Sequence, residues 1–492
     1  MKATNRIAHR SAQSALALIG ISLLVACGGS DSPVAPVVPV VPVPEEVRPQ
    51  DSRSFTADAT LTTFTPMAAA AGDTVDMAST SRWAGVLGGA AYKVEVPTAW
   101  NGKLVMYAHG YAGTGAALNA DAPLIRRYLI QNGYAWAASS YSKNYYDVRA
   151  GVEDTNALAN EFVKIAAKNS RALASPSKIF ITGVSMGGHI TGAAIDDEAQ
   201  AFAVNKVKYA GAVPMCGVVG DTELFNQFAA MQVTAQALAG VPKYPTDKFD
   251  DIRALVTSTL FTTFPSVPTA TGAKYVSVLK NITGGTRPMF DLGLAFGGSF
   301  PSAWGALGGD GTITGILNKN ILDTNGMTYT IDGDVAGSTA LNASALKLTA
   351  ATDANRLRTD GLRWIPKVNG NFKIPVVSIH TLGDLFVPFS MEQVFQRNVA
   401  AKGNSAFLVQ RALRGVSHCD FTVAEASTAF DDMVKWEAGG AKPAGDDVVT
   451  AATVAAPTYG CTHTKNTLGP DEYGFVRSLR PNAVALSAAC PA

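Results

Sequence analysis

Residues 178–188 read Lys-Ile-Phe-Ile-Thr-Gly-Val-Ser-Met-Gly-Gly and put Ser185 at the centre of a G-x-S-x-G pentapeptide. Chemistry needs that spacing when a serine hydroxyl must stand on a tight strand-to-helix turn, because glycines two residues to either side let strand and helix approach closely. With 46 Gly and 30 Ser in 492 residues, chance alone supplies about 0.3 such pentapeptides, so the surroundings must decide. They are favourable: 179–182 is strand-like, and 187–195 can open a helix of small residues.

A serine hydroxyl near neutral pH is a poor nucleophile and needs an imidazole as base, itself oriented by a carboxylate. Two later loops, each following a strand-like run, offer these partners. After 374–379 comes His-Thr-Leu-Gly-Asp-Leu-Phe-Val-Pro, with Asp384 just past the strand end. After 407–411 comes Arg-Gly-Val-Ser-His-Cys-Asp-Phe, with His418 in the same relation to its strand. The other histidines are assigned plainer roles: His9 belongs to the N-terminal leader, His463 to the C-terminal tail, and His109 and His380 to hydrogen bonding at strand ends. His189 is expected to pack or to line a pocket. Asp384 is preferred to Asp360 and Asp420 as the orienting acid, and Asp420 is expected to cap the helix that follows it. Tyr141, Tyr145 and Tyr146 are candidates to rim a substrate pocket or to pack a loop.

The elements that must position these residues alternate. Strand-like runs at 92–96, 103–108, 134–138, 178–182, 207–213, 374–379 and 407–411 are separated by helical patterns such as 121–131 and 154–167. That alternation predicts a mostly parallel sheet flanked by helices, in the α/β class. It fails between Cys216 and about residue 373, where helical pieces at 222–238, 247–260 and 274–282 give way to glycine-rich segments. A loop of that length is seldom structureless, so a largely helical cap is expected, inserted between the strand ending near Pro214 and the strand starting near Ile374.

The serine pentapeptide, the Asp384 loop and the His418 loop resemble, in this order, the catalytic motifs of bacterial α/β-hydrolase serine esterases and lipases. His109-Gly110-Tyr111 at the end of a strand resembles the same fold's oxyanion loop. The resemblance covers about residues 92–437. It implies Ser185 as nucleophile, His418 as base, Asp384 as orienting acid, and the backbone N–H groups of Tyr111 and Met186 as an oxyanion hole. Ser417-His418-Cys419 also resembles tannase and feruloyl esterase relatives, in which a disulfide joins residues flanking serine and histidine; here Val184 precedes the serine where those relatives have cysteine. Polyester-hydrolysing carboxylesterases are similar in architecture. In such a fold Cys216 and Cys419 both lie near the catalytic end of the sheet, which favours that pair and leaves Cys461 with Cys490 to tie down the tail, among three possible pairings.

The first 27 residues carry Lys2, Arg6 and Arg10, then an apolar stretch of about a dozen residues, the pattern of a secretory signal and too short to span a membrane. Leu24-Val25-Ala26-Cys27 resembles a bacterial lipobox, which implies lipidation of Cys27 and, with Gly28, Gly29 and Ser30 following, sorting to the outer membrane. The alternative is an ordinary cleaved signal and a secreted product. Residues 33–49 are rich in proline and valine and read as an extended stalk. The expected organisation is a signal peptide at 1–26, lipidated linker at 27–50, α/β core at 51–216 and 374–440, cap at 217–373, and tail at 441–492.

A net charge of +1 gives no argument for a nucleic-acid partner, and the sequence has no CxxC or HExxH spacing to suggest a metal. The expected function is an exported, membrane-tethered hydrolase of carboxylic esters, working without cofactor on hydrophobic substrates of lipid or polyester-oligomer type. A peptidase or amidase with the same residues, and a non-catalytic surface-binding lipoprotein, are the rivals.

Overall fold

The computed structural model describes residues 54–57, 64–243, 249–306, 321–488 and 490. The expected signal, Cys27 and the whole linker to residue 50 lie outside these residues. Eight strands build one sheet: β1 (Thr80–Leu87), β2 (Ala90–Pro97), β3 (Lys103–Ala108), β4 (Ala135–Ser139), β5 (Lys178–Val184), β6 (Gly211–Met215), β7 (Val376–Thr381) and β8 (Leu408–Leu413). Their order is β1-β2-β4-β3-β5-β6-β7-β8. β2 runs antiparallel to both its neighbours, and every other pairing is parallel. This is the α/β-hydrolase topology.

Both faces of the sheet are covered, which is why the central strands read as continuous apolar runs. In β5, Ile181 faces α2 (Val148–Lys168) and α3 (Met186–Ile195), in a core with Val152, Leu158, Phe162 and Ile190. Phe180 faces the other way, towards α1 (Arg126–Gln131) and α11 (Val423–Glu437), against Leu129, Phe430 and Met433. The helices start where their caps are: the Asp147 side chain accepts from Ala150 N at the head of α2, and Thr422 and Glu425 form a capping box on α11. Asp420 therefore does not cap α11. Its Oδ2 instead accepts from Val416 N at 2.9 Å, bracing the loop that carries His418.

Between β6 and β7 the chain leaves the sheet and forms α4 (Glu223–Leu238), α5 (Phe249–Leu260), α6 (Ala270–Ile282), α7 (Phe290–Phe296), α8 (Ser299–Trp304) and α9 (Val335–Ser344). Residues 224–236 of α4 are buried without a break, and polar side chains among them find partners: Gln227 donates to the Ser390 hydroxyl and Gln232 to the Trp304 carbonyl, each at 2.8 Å. Phe261, Phe264, Tyr275, Phe300 and Trp304 pack ring against ring behind it. After β7 come α10 (Ser390–Ala401) and, beyond α11, a terminal helix α12 (Gly474–Leu486).

The return path to β7 is tied to α3 by Asp196, whose Oδ2 accepts from the backbone N–H of Gly370 at 2.8 Å and Asn371 at 3.2 Å. Burial, followed by the neighbouring Asp197, raises the Asp196 pKa to about 7. The folded chain thus keeps a proton that an unfolded aspartate releases near pH 4, and the stability this gives is full below pH 4 and lost as pH rises through about 7. Asp196→Asn keeps the acceptor and removes the charge. Its melting temperature is expected to exceed wild type by about 3 °C or more at pH 8, with the gain gone by pH 4. Equal gains at both pH values would refute the assignment.

Candidate active site

The sheet register brings the sequence-predicted residues to one edge. Ala108 pairs with Gly183, Val184 with Met215, and Thr381 with Leu413. The chain therefore leaves β3 into His109-Gly110, β5 into Ser185, β6 into Cys216, β7 into the Asp384 loop and β8 into the His418 loop, all at the carboxyl ends of the strands.

Ser185 has φ 57° and ψ −122°, a left-handed backbone that a non-glycine residue adopts at some cost. The two flanking glycines are required by contact: a Cβ on Gly183 would lie 2.3 Å from the Gly187 carbonyl oxygen, and one on Gly187 would lie 2.0 Å from that of Ala108. The serine is thereby lifted to the N-terminus of α3. Ser185 Oγ donates to His418 Nε2 across 2.8 Å, and His418 Nδ1 donates to Asp384 Oδ2 across 2.6 Å. Asp384 is fully buried, and its Oδ1 accepts two backbone N–H groups, from Phe386 at 2.9 Å and Val387 at 3.0 Å. Each oxygen of that carboxylate thus has its own task.

Beneath the acid loop lies a buried polar cluster that spacing alone does not reveal. His380 Nε2 donates to the Val387 carbonyl at 2.7 Å, and its Nδ1 lies 3.4 Å from Glu392. Glu392 in turn accepts from Ser378 at 2.6 Å and Gln410 at 2.5 Å. Burial works against a charge on His380, but the Glu392 and Asp384 carboxylates and the Val387 carbonyl outweigh it and hold its pKa above the ordinary imidazole value. From the β6–β7 segment Arg287 donates to the Leu382 carbonyl at 2.8 Å; burial lowers its pKa to about 9 against the pull of Asp384 and Asp291, which leaves it charged at neutral pH.

The remaining candidates fall as follows. Gly110 lies against Ser185, close enough that a Cβ would stand 3.3 Å from that of the serine, and Tyr111 and Ser185 line one cavity. Met186 is the first residue of α3, so its N–H belongs to the positive end of the helix. His109 stacks on Tyr141 with 4.1 Å between ring centroids. His189 is buried with Nε2 on the Pro366 carbonyl at 2.8 Å and Nδ1 on the Tyr146 hydroxyl at 2.9 Å; burial lowers its pKa to about 4, so it is neutral. Of the three loop tyrosines, Tyr146 lines the Ser185 cavity. Phe386, which had no role in the sequence reading, sets its ring 5.4 Å from that of His418 and 5.6 Å from that of Phe228.

Disulfides join Cys216 to Cys419 and Cys461 to Cys490. The first tethers the residue after His418 to the end of β6, next to the serine turn, where Met215 O accepts from Ser185 N at 3.0 Å. Cysteine thus reaches the site from the neighbouring strand rather than from the position before the serine. Ligand atoms of Cys216, His418 and Cys419 lie within 4.8 Å of one another, but the two sulfurs are bonded together and offer no thiolate to a metal.

No family model matches the chain. Over 68 residues it is 29% identical to an o-phthalyl amidase of Xanthobacter agilis, a stretch that spans 14% of this chain and 15% of that relative's length. Among solved structures it is similar to feruloyl esterase B from Aspergillus oryzae, at 16% identity and a TM-score of 0.39, over 75% of this chain and 82% of the other. An esterase from Aspergillus oryzae has the same TM-score at 10% identity, over 75% and 81%. A puromycin hydrolase gives 0.36 at 13% identity, over 75% and 41%.

A half-buried serine hydrogen-bonded to an imidazole, which is hydrogen-bonded to a buried carboxylate, equips a hydroxyl to attack an electrophilic carbon.

Proposed function

We propose that this chain is a serine esterase that hydrolyses carboxylic esters through an acyl-enzyme. The observation that carries the reading is the unbroken hydrogen-bond chain Ser185–His418–Asp384 on a strained turn at the carboxyl edge of the sheet. Ser185 Oγ attacks the acyl carbon as its proton passes to His418 Nε2, and Asp384 stabilises the imidazolium through Nδ1. The N–H groups of Tyr111 and Met186 receive the oxyanion, each worth about 3 kcal/mol of barrier. The C–O bond then breaks, Nε2 returns the proton to the departing alkoxide, and water repeats the sequence on the acyl-enzyme. The helices of the β6–β7 segment form a cap: Leu224, Phe225 and Phe228 of α4 wall the Ser185 cavity with apolar side chains, which favours hydrophobic substrates.

Likeness to an amidase over a short stretch supports a second reading, attack on an amide carbonyl by the same residues. A fluorophosphonate that labels Ser185, located by peptide mass spectrometry, tests the nucleophile. Turnover of a p-nitrophenyl ester against the matching anilide separates ester from amide. An unlabelled serine would sink both readings.

The proposal extends to export and a lipid anchor on Cys27. Two disulfides, the expected state of a chain folded in an oxidising compartment, support the export. Among the described residues no helix is long and apolar enough to cross a membrane, and the anchor rests on residues 1–27. Incorporation of labelled palmitate at Cys27 tests it, and an unlabelled chain would remove the anchor.

A further inference from the structure

Two depressions meet at the Ser185–His418 pair, and the Phe386 ring belongs to the wall of both. The first holds Ser185 and Tyr111, is closed over by Tyr146, Leu224, Phe225 and Phe228, and measures only about 50 Å³. The second holds His418 and Ser417, is floored by Gly297 and Gly298, and is an open groove of about 430 Å³ that runs out between Phe475 and Leu479 of α12. Leu479 also opens a third depression of about 480 Å³, which continues along Leu292, Phe296, Ala483 and Leu486. Phe475, Leu479, Ala483 and Leu486 recur at helical spacing, so they form one stripe about 16 Å long. Phe296 and Leu486 are 61% and 63% exposed, a solvent-facing apolar surface that calls for a reason.

The chemistry says which part of an ester lies in which depression. His418 Nε2 must hand its proton to the leaving oxygen, so the alcohol portion lies on the side that His418 lines. The acyl carbon is bonded to Ser185 Oγ with its oxygen towards Tyr111 N, so the acyl substituent enters the cavity lined by those two residues. On the same measure the cavity beside Ser185 offers about 50 Å³ and the groove beside His418 about 430 Å³, so the shorter part of the ester belongs with the acyl carbon and the longer part with the leaving oxygen.

We infer that the substrate is an ester of a short acid with a long, apolar alcohol, the alcohol chain lying in the groove that runs from His418 along α12. This rests on the serine-esterase reading and adds the direction in which the ester binds. The groove's occupant is fixed by its continuity with the proton donor: the chain that occupies it must end in the oxygen that His418 protonates.

Decyl acetate and ethyl decanoate are isomers of the same composition, so comparing them on the wild-type protein isolates orientation from hydrophobicity. The expected kcat/KM is at least about tenfold higher for decyl acetate. Leu479→Asp, which places a charge in the groove, is expected to cut decyl acetate turnover about tenfold relative to p-nitrophenyl acetate. Phe228→Ala, which enlarges the small cavity, is expected to narrow the isomer ratio. Fluorophosphonate labelling and p-nitrophenyl acetate turnover on the same preparation keep the two levels apart. An inert serine overturns the esterase reading and this inference together. A labelled, active enzyme that prefers ethyl decanoate, treats the isomers alike, or cleaves neither overturns the inference alone.

Discussion

Asp384→Asn is expected to lower kcat on a p-nitrophenyl ester by about 10⁴ while leaving the fold intact. The size follows from how the carboxylate is used. Oδ1 accepts two backbone N–H groups, those of Phe386 and Val387, so this position must remain an acceptor. An asparagine can satisfy it only by placing its carbonyl there, which turns its NH₂ group towards His418 Nδ1. That nitrogen must then accept, which puts the ring proton on Nε2, the atom that faces Ser185 Oγ at 2.8 Å. A protonated Nε2 cannot take the serine proton. Loss of the base, rather than loss of structure, is therefore the expected defect. Stopped-flow or steady-state kinetics with a circular dichroism check would measure it, and a kcat within tenfold of wild type would show that Asp384 does not orient the imidazole.

The candidate site was legible because a serine on a strand-to-helix turn imposes backbone demands that leave marks in sequence. Ser185 needs glycine at 183 and 187, since any Cβ there would meet a carbonyl oxygen. Asp384 and His418 each follow a strand buried along its whole length, opened by paired apolar residues (Val376-Val377 and Leu408-Val409), so their loops stand out at the end of a strand-like run. Where burial is one-sided the signal fades. β1 is an edge strand paired only with β2, its residues mostly half-buried, and Thr-Ser-Arg-Trp-Ala-Gly-Val-Leu shows no clear period. α2 begins at Val148, earlier than its pattern suggests, because Gly151 interrupts the helical residues; Ile190 packs so closely that a Cβ on Gly151 would lie 2.2 Å from its Cδ1. α12 carries Pro481 within it, which hides a helix in a proline-containing tail. Asp420 was misread for a subtler reason. Its position before α11 fits a cap, but Thr422 takes that role, and Asp420 is held inward with its carbonyl and carboxylate facing Arg480. Phe386 was invisible as a functional residue because a ring between two cavities has no spacing rule. Only the packing of α4 and α12 around it gives it one.

Breaking the Cys216–Cys419 bridge is the other change with a large expected effect, and it acts on geometry rather than on a reacting atom. Cys419 follows His418 directly, and both bridged cysteines hold positive φ, 42° and 55°, a conformation that side chains rarely keep without outside constraint. The bridge supplies that constraint by anchoring the His418 loop to the strand end beside the serine turn. On its release Cys419 can relax to an ordinary backbone, and His418 turns with it. A misplacement of about 1 Å costs roughly 10² in rate, so the Cys216→Ser/Cys419→Ser double variant is expected to lose about a hundredfold in kcat. The closed segment spans 203 residues, so stability falls too, by about 5 kcal/mol at most in the chain-entropy account. Cys461–Cys490 provides the contrast. It lies in the tail, with its sulfurs 3.1 and 3.2 Å from the Arg414 guanidinium, and closes a segment of only 29 residues. Its removal is expected to lower the melting temperature with a kcat change under threefold, whereas a reducing agent that opens both bridges should reproduce the loss seen with the first. Kinetics measured well below the melting temperature of each variant separate the two effects. If the first variant, folded and with its bridge absent, keeps kcat within threefold of wild type, the His418 loop holds its place without the bridge.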